Sequence, residues 1–261
     1  MQNLKNQNST FAKKGPFFSK VFENKEISKD IWLLKLESRE IVENSLPGQF
    51  VSIKCKDLIL RRPFSVAKVY EDNTFDLIYK VIGEGTQYLT ELKAGDTIDF
   101  IGPMGNSFSI ENKNSLLIGC GVGIAPIVYM AQILGSKGIN HSTIIGTRTN
   151  IDLKLGKNSY YLTEDGSCGL KGRLDHHLED IIAETGAEKI YICGPNPAMK
   201  YATDIAKKYG LEIEVALEKV MACGTGVCMG CVIEIMENGE HVQKRVCRDG
   251  PVFNGANILW E

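Results

Sequence analysis

The sequence has no surplus of positive charge: 30 Lys and Arg stand against 32 Asp and Glu, for a net charge of -2. No run of basic residues offsets this, so the electrostatic footprint of a nucleic-acid binder is missing. The N-terminus, MQNLKNQNSTFAKKGPFF, lacks an apolar segment of signal-peptide length and lacks the arginines of a transit peptide. Residues 1–15 are expected to form a disordered polar tail. A long hydrophobic run is missing too. Ser115–Ser136 carries no charge and is long enough to span a bilayer, but Gly119, Gly121, Gly123 and Pro126 interrupt it where a membrane helix needs its backbone bonds. The stretch reads instead as strand, turn and helix, and no membrane association is expected. Without an export signal the expected compartment is the cytoplasm, where thiols stay reduced. The eight cysteines therefore point to metal or redox chemistry rather than a disulfide framework.

What is present is an ordinary globular composition, 43% apolar and 24% charged, in 261 residues, enough for two domains and a small module. Residues 16–110 read as strands. PGQFVSIKC, RRPFSVAKVY, TFDLIYKVIG and DTIDFIG are short runs rich in β-branched and aromatic residues, separated by turns at Glu71-Asp72-Asn73 and Lys93-Ala94-Gly95-Asp96. With only Thr86–Leu92 helical, this spacing predicts a small antiparallel β-barrel. From Ser115 the pattern becomes strand–helix alternation: strands at LLIG, STIIG (142–146), KIYICG (189–194) and LEIEVAL, helices over Ile124–Leu134, Leu174–Ala183 and Pro197–Tyr209. Alternation over this length predicts a doubly wound parallel sheet, an α/β domain following the β-barrel. The last stretch holds four cysteines and is too short for a core of its own, so it needs a metal or cluster as staple. The expected domains are 1–111, 112–217 and 218–261.

Cys223, Cys228 and Cys231 form C-x4-C-x2-C, and Cys247 follows after fifteen further residues, the plant-type [2Fe–2S] spacing. The segment between them, CVIEIMENGEHVQKRVC, is two strand-like runs joined at Asn238-Gly239, a strong hairpin signal. Folding back there sets Cys231 opposite position 246 and Cys247 beside it, so the turn delivers the fourth thiolate. Zinc sites favour paired C-x2-C knuckles, and only one such pair is present.

IGCGVGIAP (118–126) follows a predicted strand and opens a helix, where glycines let the backbone approach a pyrophosphate at a helix N-terminus. Pro126 stands where the last glycine of G-x-G-x-x-G would be, and a helix start that needs glycine only for packing fits as well. CGP (193–195) ends a strand at the carboxyl edge where such sheets bind ligands. There Cys193 either abuts a nicotinamide or is a buried cysteine before a proline-started helix. RRPFS (61–65) offers one or two arginines to a phosphate, or simply starts a strand. Gly85 and Thr86 bind phosphate or cap a short helix. Cys55 and Cys168 read as small packing residues.

RPFS in a barrel, GCGVGIAP opening a nucleotide domain, CGP near its end and CGTGVCMGC with a fourth cysteine resemble, in this order, the ferredoxin–NADP reductase superfamily. The four-cysteine tail narrows the resemblance to the electron-transfer subunits of class B (NAD-linked) dihydroorotate dehydrogenase, over nearly the whole chain from residue 17. The resemblance implies that Arg62, Pro63, Phe64 and Ser65 bind FAD, with Arg62 at the pyrophosphate, and that Ile78, Tyr79, Lys80, Gly85 and Thr86 complete that site. It implies an NAD site at Gly119, Gly121, Gly123, Pro126, Cys193, Gly194 and Pro195, and cluster ligands at Cys223, Cys228, Cys231 and Cys247. It also implies a partner, an FMN-containing subunit that oxidises dihydroorotate to orotate in pyrimidine (UMP) biosynthesis, in a heterotetramer of two of each. The cofactors carry the chemistry, with FAD standing between the two-electron nicotinamide and the one-electron cluster, so no side chain need act as acid or base. The 261 residues are filled by the three units, and the FMN barrel is expected on another chain. Cys120 stands where many relatives have glycine, and Arg148, after the second strand, leaves NAD or NADP open. Ferredoxin- or sulfide-linked reductase subunits resemble the chain too, but typically begin the cluster motif with Asp where Cys223 stands. A zinc-stapled nucleotide-binding regulator is the reading from another class.

Overall fold

The structure, a computed structural model, describes residues 16–156 and 158–260. The tail expected over residues 1–15 lies outside them.

Six antiparallel strands close into a barrel in the order β1-β2-β5-β4-β3-β6: β1 (Phe17–Ser28), β2 (Ile31–Glu37), β3 (Phe50–Ile53), β4 (Arg62–Val69), β5 (Thr74–Lys80) and β6 (Thr97–Met104). Two short helices, α1 (Arg39–Asn44) and α2 (Glu84–Thr90), join them. β5 is buried along almost its whole length because both its faces are covered. Phe75, Leu77 and Tyr79 fill the barrel with Leu34, Val66 and Phe100, while Ile78 turns outward against Ile124, Ala125 and Val128 of the next domain.

That next domain runs β7 (Ser115–Cys120), α3 (Ile124–Ser136), β8 (His141–Thr147), β9 (Ser159–Thr163), β10 (Leu170–Lys171), α4 (Leu174–Thr185), β11 (Lys189–Cys193), α5 (Asn196–Tyr209) and β12 (Glu212–Ala216). Its sheet has the order β10-β9-β8-β7-β11-β12, so the chain reverses direction between β7 and β11. The crevice beyond the carboxyl ends of these two strands is where a doubly wound sheet binds its ligand. α3 fastens the sheet to the barrel. Gln132 donates to the Val69 carbonyl at 2.6 Å and accepts from the Val69 N–H at 3.1 Å, and the Tyr129 hydroxyl donates to the Ser45 carbonyl at 2.8 Å.

The last stretch forms a hairpin, β13 (Val232–Glu237) and β14 (Glu240–Arg245), in the expected register, with Val232 opposite Arg245 and Glu237 opposite Glu240. Asn238 and Gly239 take φ of 53° and 83°, the left-handed pair that a tight hairpin turn demands. A strand that sequence pattern did not announce, β15 (Val252–Asn254), then pairs antiparallel with β12 and extends the nucleotide sheet to seven strands. The stretch thus has no separate core: Ile233, Ile235 and Val246 share one apolar cluster with Met104, Val215 and Ile258. Cys55 is fully buried in the barrel as expected, but Cys168 is only half-buried in the turn before β10, exchanging backbone bonds with the Thr163 hydroxyl, and is no core residue.

At the amino end of the interior strand β11, Lys189, its side chain 3% exposed, bonds Glu111 at 2.5 Å, Ser109 at 2.8 Å and Glu214 at 2.9 Å. Lys189, then Lys113 and Ser109, hold the Glu111 carboxyl down to about 2. A depressed carboxylate adds stability that is complete above its ordinary value of 4.5 and is lost as pH falls through about 2. Glu111→Gln is therefore expected to flatten the acid limb of the urea midpoint between those values. The effect is modest because Glu111 is 35% exposed. Identical acid limbs in parent and variant would rule this contribution out.

Candidate functional site

The two nucleotide loops meet at the crevice. The chain leaves β7 at Cys120, makes one 3-10 turn over Gly121–Gly123 and enters α3. A side chain at Gly123 would run into the carbonyl of Cys193 and the N–H of Gly194, so the two loops touch backbone to backbone only because no Cβ stands between them. Gly194 repeats the constraint: a Cβ there would lie 2.7 Å from that of Cys120. Gly119 packs in the same way, 2.8 Å from the Ile124 backbone, whereas Gly121 is constrained by its left-handed φ of +60° and faces open space. The result is a bare backbone shelf at a helix N-terminus, suited to a pyrophosphate. Pro126 lies inside the first turn of α3, buried, where its missing N–H costs nothing. Pro195 is exposed and caps α5, its carbonyl accepting from the N–H groups of Ala198 and Met199.

Cys193 is buried, with its sulfur 4.0 Å from Glu218 Oε1. Burial, then the Glu218 charge, pushes its thiol well up, and burial alone lifts Cys120 to about 12. Both are therefore neutral thiols at physiological pH and poor nucleophiles. Glu218 is open to solvent yet walled by a narrow crevice that also includes Asn196, Ile233 and Trp260, and desolvation raises its carboxyl. Sequence reading missed Glu218 because only the β12–hairpin connection brings it under Cys193. Arg148 is exposed in the loop after β8.

On the barrel, the two arginines of RRPFS divide. Arg61 is committed to Asp99, with bonds of 3.0 and 2.9 Å to its two carboxylate oxygens, and is spent on the barrel wall. Arg62 remains half-buried, and among the described residues its guanidinium bonds only the Leu60 carbonyl, at 2.6 Å. Its side chain lies over Gly85, where a Cβ would come within 3.2 Å of Nε. Arg62 and Gly85 are thus brought together from two elements. Pro63, Phe64 and Ser65 continue along β4, all half-buried. Thr86 caps instead of reaching outward: its hydroxyl donates to the Gly83 carbonyl and accepts from the N–H groups of Ile82 and Gly83. The Tyr79 ring turns into the barrel, edge-on to Phe64 at 5.9 Å, with its hydroxyl on Asn24. At this strand a ligand would meet backbone and the half-buried Lys80 rather than the Tyr79 ring.

The four cysteines come together beside the barrel, where Gly224 lies against Ser52 and Met104. Backbone N–H groups point at their sulfurs. Thr225 and Cys228 donate to Cys223, Gly230 to Cys228, and Cys247 to Cys231, each at 3.4 Å. Cys228 and Thr225 hold the Cys223 thiol down to about 5, the thiolate form that binds iron. Burial and the neighbouring Cys231 lift Cys247 to about 12, the strain of crowding thiols that iron would relieve by displacing their protons. Among the described residues, no group of three or more His, Cys, Asp or Glu side chains is gathered closely enough to hold a metal ion as the side chains stand. An N–H···S cradle of this kind fits an iron–sulfur cluster, whose sulfurs accept such bonds. Cys231 and Cys247 are buried and Cys228 is exposed, so one side of the tetrad opens to solvent. Around that side Val220, Val227 and Met229 are 89, 80 and 49% exposed.

Residues 218–259 match the family model described as the iron–sulfur cluster binding domain of dihydroorotate dehydrogenase B, and residues 19–108 match the oxidoreductase FAD-binding domain. The chain is similar to the electron transfer subunit of dihydroorotate dehydrogenase B (NAD(+)) from Caldanaerobacter subterraneus subsp. tengcongensis, 36% identical over 93% of this chain and 98% of that one. It is 35% identical to the subunit of the same description from Streptococcus pneumoniae, over 92% of this chain and 99% of that one. Among solved structures, a chain of the NADH-dependent reduced ferredoxin–NADP oxidoreductase, studied for flavin-based electron bifurcation, superposes with a TM-score of 0.82 at 32% identity, over 94% of this chain and 91% of that one.

Proposed function

The chain belongs to the family of dihydroorotate dehydrogenase B electron transfer subunits, and from that premise we propose that it passes electrons between NAD(H) and the FMN of a dihydroorotate-oxidising partner subunit in pyrimidine (UMP) biosynthesis. The observation that carries this reading is the four-cysteine cradle, opening to solvent, on a chain that also holds a barrel and a glycine shelf. In this assignment residues 1–111 bind FAD, 112–217 bind NAD and 218–261 hold the [2Fe–2S] cluster. When bound, the nicotinamide supplies two electrons as hydride, the flavin exchanges one or two, and the cluster takes one.

The chain's own residues bind and orient. Arg62 offers its guanidinium to the FAD pyrophosphate, with Gly85 leaving room beside it, while Pro63, Phe64, Ser65 and the Ile78–Lys80 backbone line the rest. Thr86 keeps the start of α2 in shape. Gly119, Gly121, Gly123 and Gly194 let two backbones approach a dinucleotide, and Cys193 and Pro195 form the wall beside its nicotinamide end. Cys223, Cys228, Cys231 and Cys247 hold iron. Val220, Val227 and Met229 give the open side of the cradle an apolar rim that a partner subunit would cover, excluding water from the path. Two copies of each subunit would make the assembly. Among the described residues no helix is long and apolar enough to cross a membrane, and the cytoplasm suits reduced thiols.

Arg62→Ala is expected to weaken FAD binding about tenfold to a hundredfold, the worth of a charge-assisted hydrogen bond of about 1.5–3 kcal/mol. Fluorescence titration of the apoprotein measures it, and Arg61→Ala should instead lower stability with little change in FAD affinity. The reverse pattern would reassign the two arginines. The likeness to the NADH-dependent reduced ferredoxin–NADP oxidoreductase chain supports a second reading, with ferredoxin as acceptor. To separate the two, the purified chain is assayed with NADH against a dye, against ferredoxin, and for dihydroorotate oxidation with and without the FMN subunit. Dye reduction alone, with dihydroorotate oxidation only in the complex, supports the proposal. Rapid ferredoxin reduction with no stimulation by the FMN subunit contradicts it.

A further inference from the structure

Arg245 ends β14, two residues before Cys247, and its side chain is three-quarters buried. Its guanidinium grips two separate pieces of backbone and side chain. Nε and Nη2 donate to the two carboxylate oxygens of Asp249 at 2.9 and 3.1 Å, and Nη1 donates to the carbonyl of Gly226 at 2.9 Å. Asp249 is fixed in turn by the Arg245 backbone N–H at 2.8 Å, and the Arg245 carbonyl accepts from the N–H groups of Arg248, Asp249 and Gly250. One residue therefore closes the turn that carries Cys247 and also reaches nineteen residues back to the loop of the other three cysteines. Gly226 is held on its other side too. Its φ is +85°, and a Cβ there would meet Arg248 Cδ at 2.6 Å, so the loop lies directly on the Arg248 stem.

We propose that Arg245 is a positioning residue for the cluster: braced by Asp249, it clamps the Gly226 carbonyl and locks the Cys223–Cys231 loop at a fixed distance from Cys247. The inference rests on the reading of the four cysteines as cluster ligands and adds a residue outside the ligand set. Its chemistry is specific to arginine. A planar fork satisfies a carboxylate with two nitrogens and leaves a third for a carbonyl, which the single ammonium of lysine cannot do in the same geometry. The clamped loop also carries the Thr225 and Cys228 N–H groups, on either side of Gly226, that donate to the Cys223 sulfur at 3.4 Å, and such bonds help set a cluster's potential.

The test uses the full chain, purified anaerobically with its flavin and cluster. Iron, sulfide and FAD are quantified, bleaching of the cluster absorbance is timed in an iron chelator, and the cluster's midpoint potential is measured by dye titration. Arg245→Ala is expected to bleach about tenfold or more faster than the parent, the scale of a lost outer-shell partner at a metal site, with its potential shifted to more negative values and FAD content unchanged. Arg245→Lys keeps the charge and should resemble Arg245→Ala, and Asp249→Asn should move both readouts in the same direction by less. If Arg245→Ala takes up no cluster at all, the lysine and asparagine variants still carry the comparison. Parent-like lifetime and potential in these variants overturns the clamp, as does full rescue by Arg245→Lys, which would leave charge alone as the cause. A parent chain that takes up no iron and sulfide defeats the cysteine reading itself, and the clamp with it.

Discussion

Gly123→Ala is expected to slow reduction of the chain's flavin by NADH about a hundredfold while FAD and iron contents stay at parent levels. The added methyl has nowhere to go, because the Cys193 carbonyl and the Gly194 N–H already occupy its position. Neither is the end of a flexible side chain. Both belong to the backbone at the end of β11, so the loops must separate, and a shift of about an ångström in a positioning element is enough for a loss of that size. Overpacking of this kind also costs about 1–3 kcal/mol of stability. Gly121→Ala is the control. Its Cβ meets nothing, and only the left-handed φ of +60° penalises it, by about 1–2 kcal/mol. Stopped-flow reduction with NADH separates the two. Equal rates in Gly123→Ala and the parent would show that the contact between the loops does not shape the nucleotide site.

The second large effect belongs to Cys228→Ala. This thiol is exposed, so its removal leaves no cavity, and the packing loss is negligible. What disappears is one of the four proposed iron ligands, together with the sulfur that accepts the Gly230 N–H. Iron and sulfide are expected to fall to background. Amides of the hairpin β13–β14 should exchange far faster, since metal binding and folding of such a module are linked. FAD should stay bound, because Arg62 and Gly85 lie on the barrel, which closes without the hairpin. Hydrogen exchange and cofactor analysis on the same sample decide it. Loss of flavin with the cluster retained would contradict the assignment of the two cofactors to separate units.

The hairpin was legible in the sequence down to its register, because Asn238-Gly239 fixes the turn and every pair follows from it. The strand–helix alternation was plain at β7, β8, β11, β12 and α3 to α5, which carry their own apolar patterns, whereas the short strands β9 and β10 at the sheet edge were not announced. Nor was strand β15. Val252–Asn254 is too short to show a period and follows Gly250-Pro251, so only its pairing with β12 makes it a strand. The site divides along the same line. Glycines that a backbone must approach closely announce themselves, as at 123 and 194. The division between Arg61 and Arg62 does not, because it is decided by Asp99 on β6, across the barrel wall. Thr86 was legible only as a choice between binding phosphate and capping, and in the structure its hydroxyl bonds within its own loop. The Arg245–Asp249 pair, which brackets Cys247, was not singled out in the sequence, and its reach to Gly226 is a product of the fold.

The most direct test of the account is an anaerobic titration of the purified chain with NADH, followed by its visible spectrum. The flavin bands and the cluster shoulder are both expected to bleach, with an uptake of about three electrons per chain, two at the flavin and one at the cluster. Dihydroorotate added to the same sample in place of NADH should leave the spectrum unchanged until the FMN subunit is supplied. A colourless chain containing zinc, or bleaching by dihydroorotate in the chain alone, would contradict it.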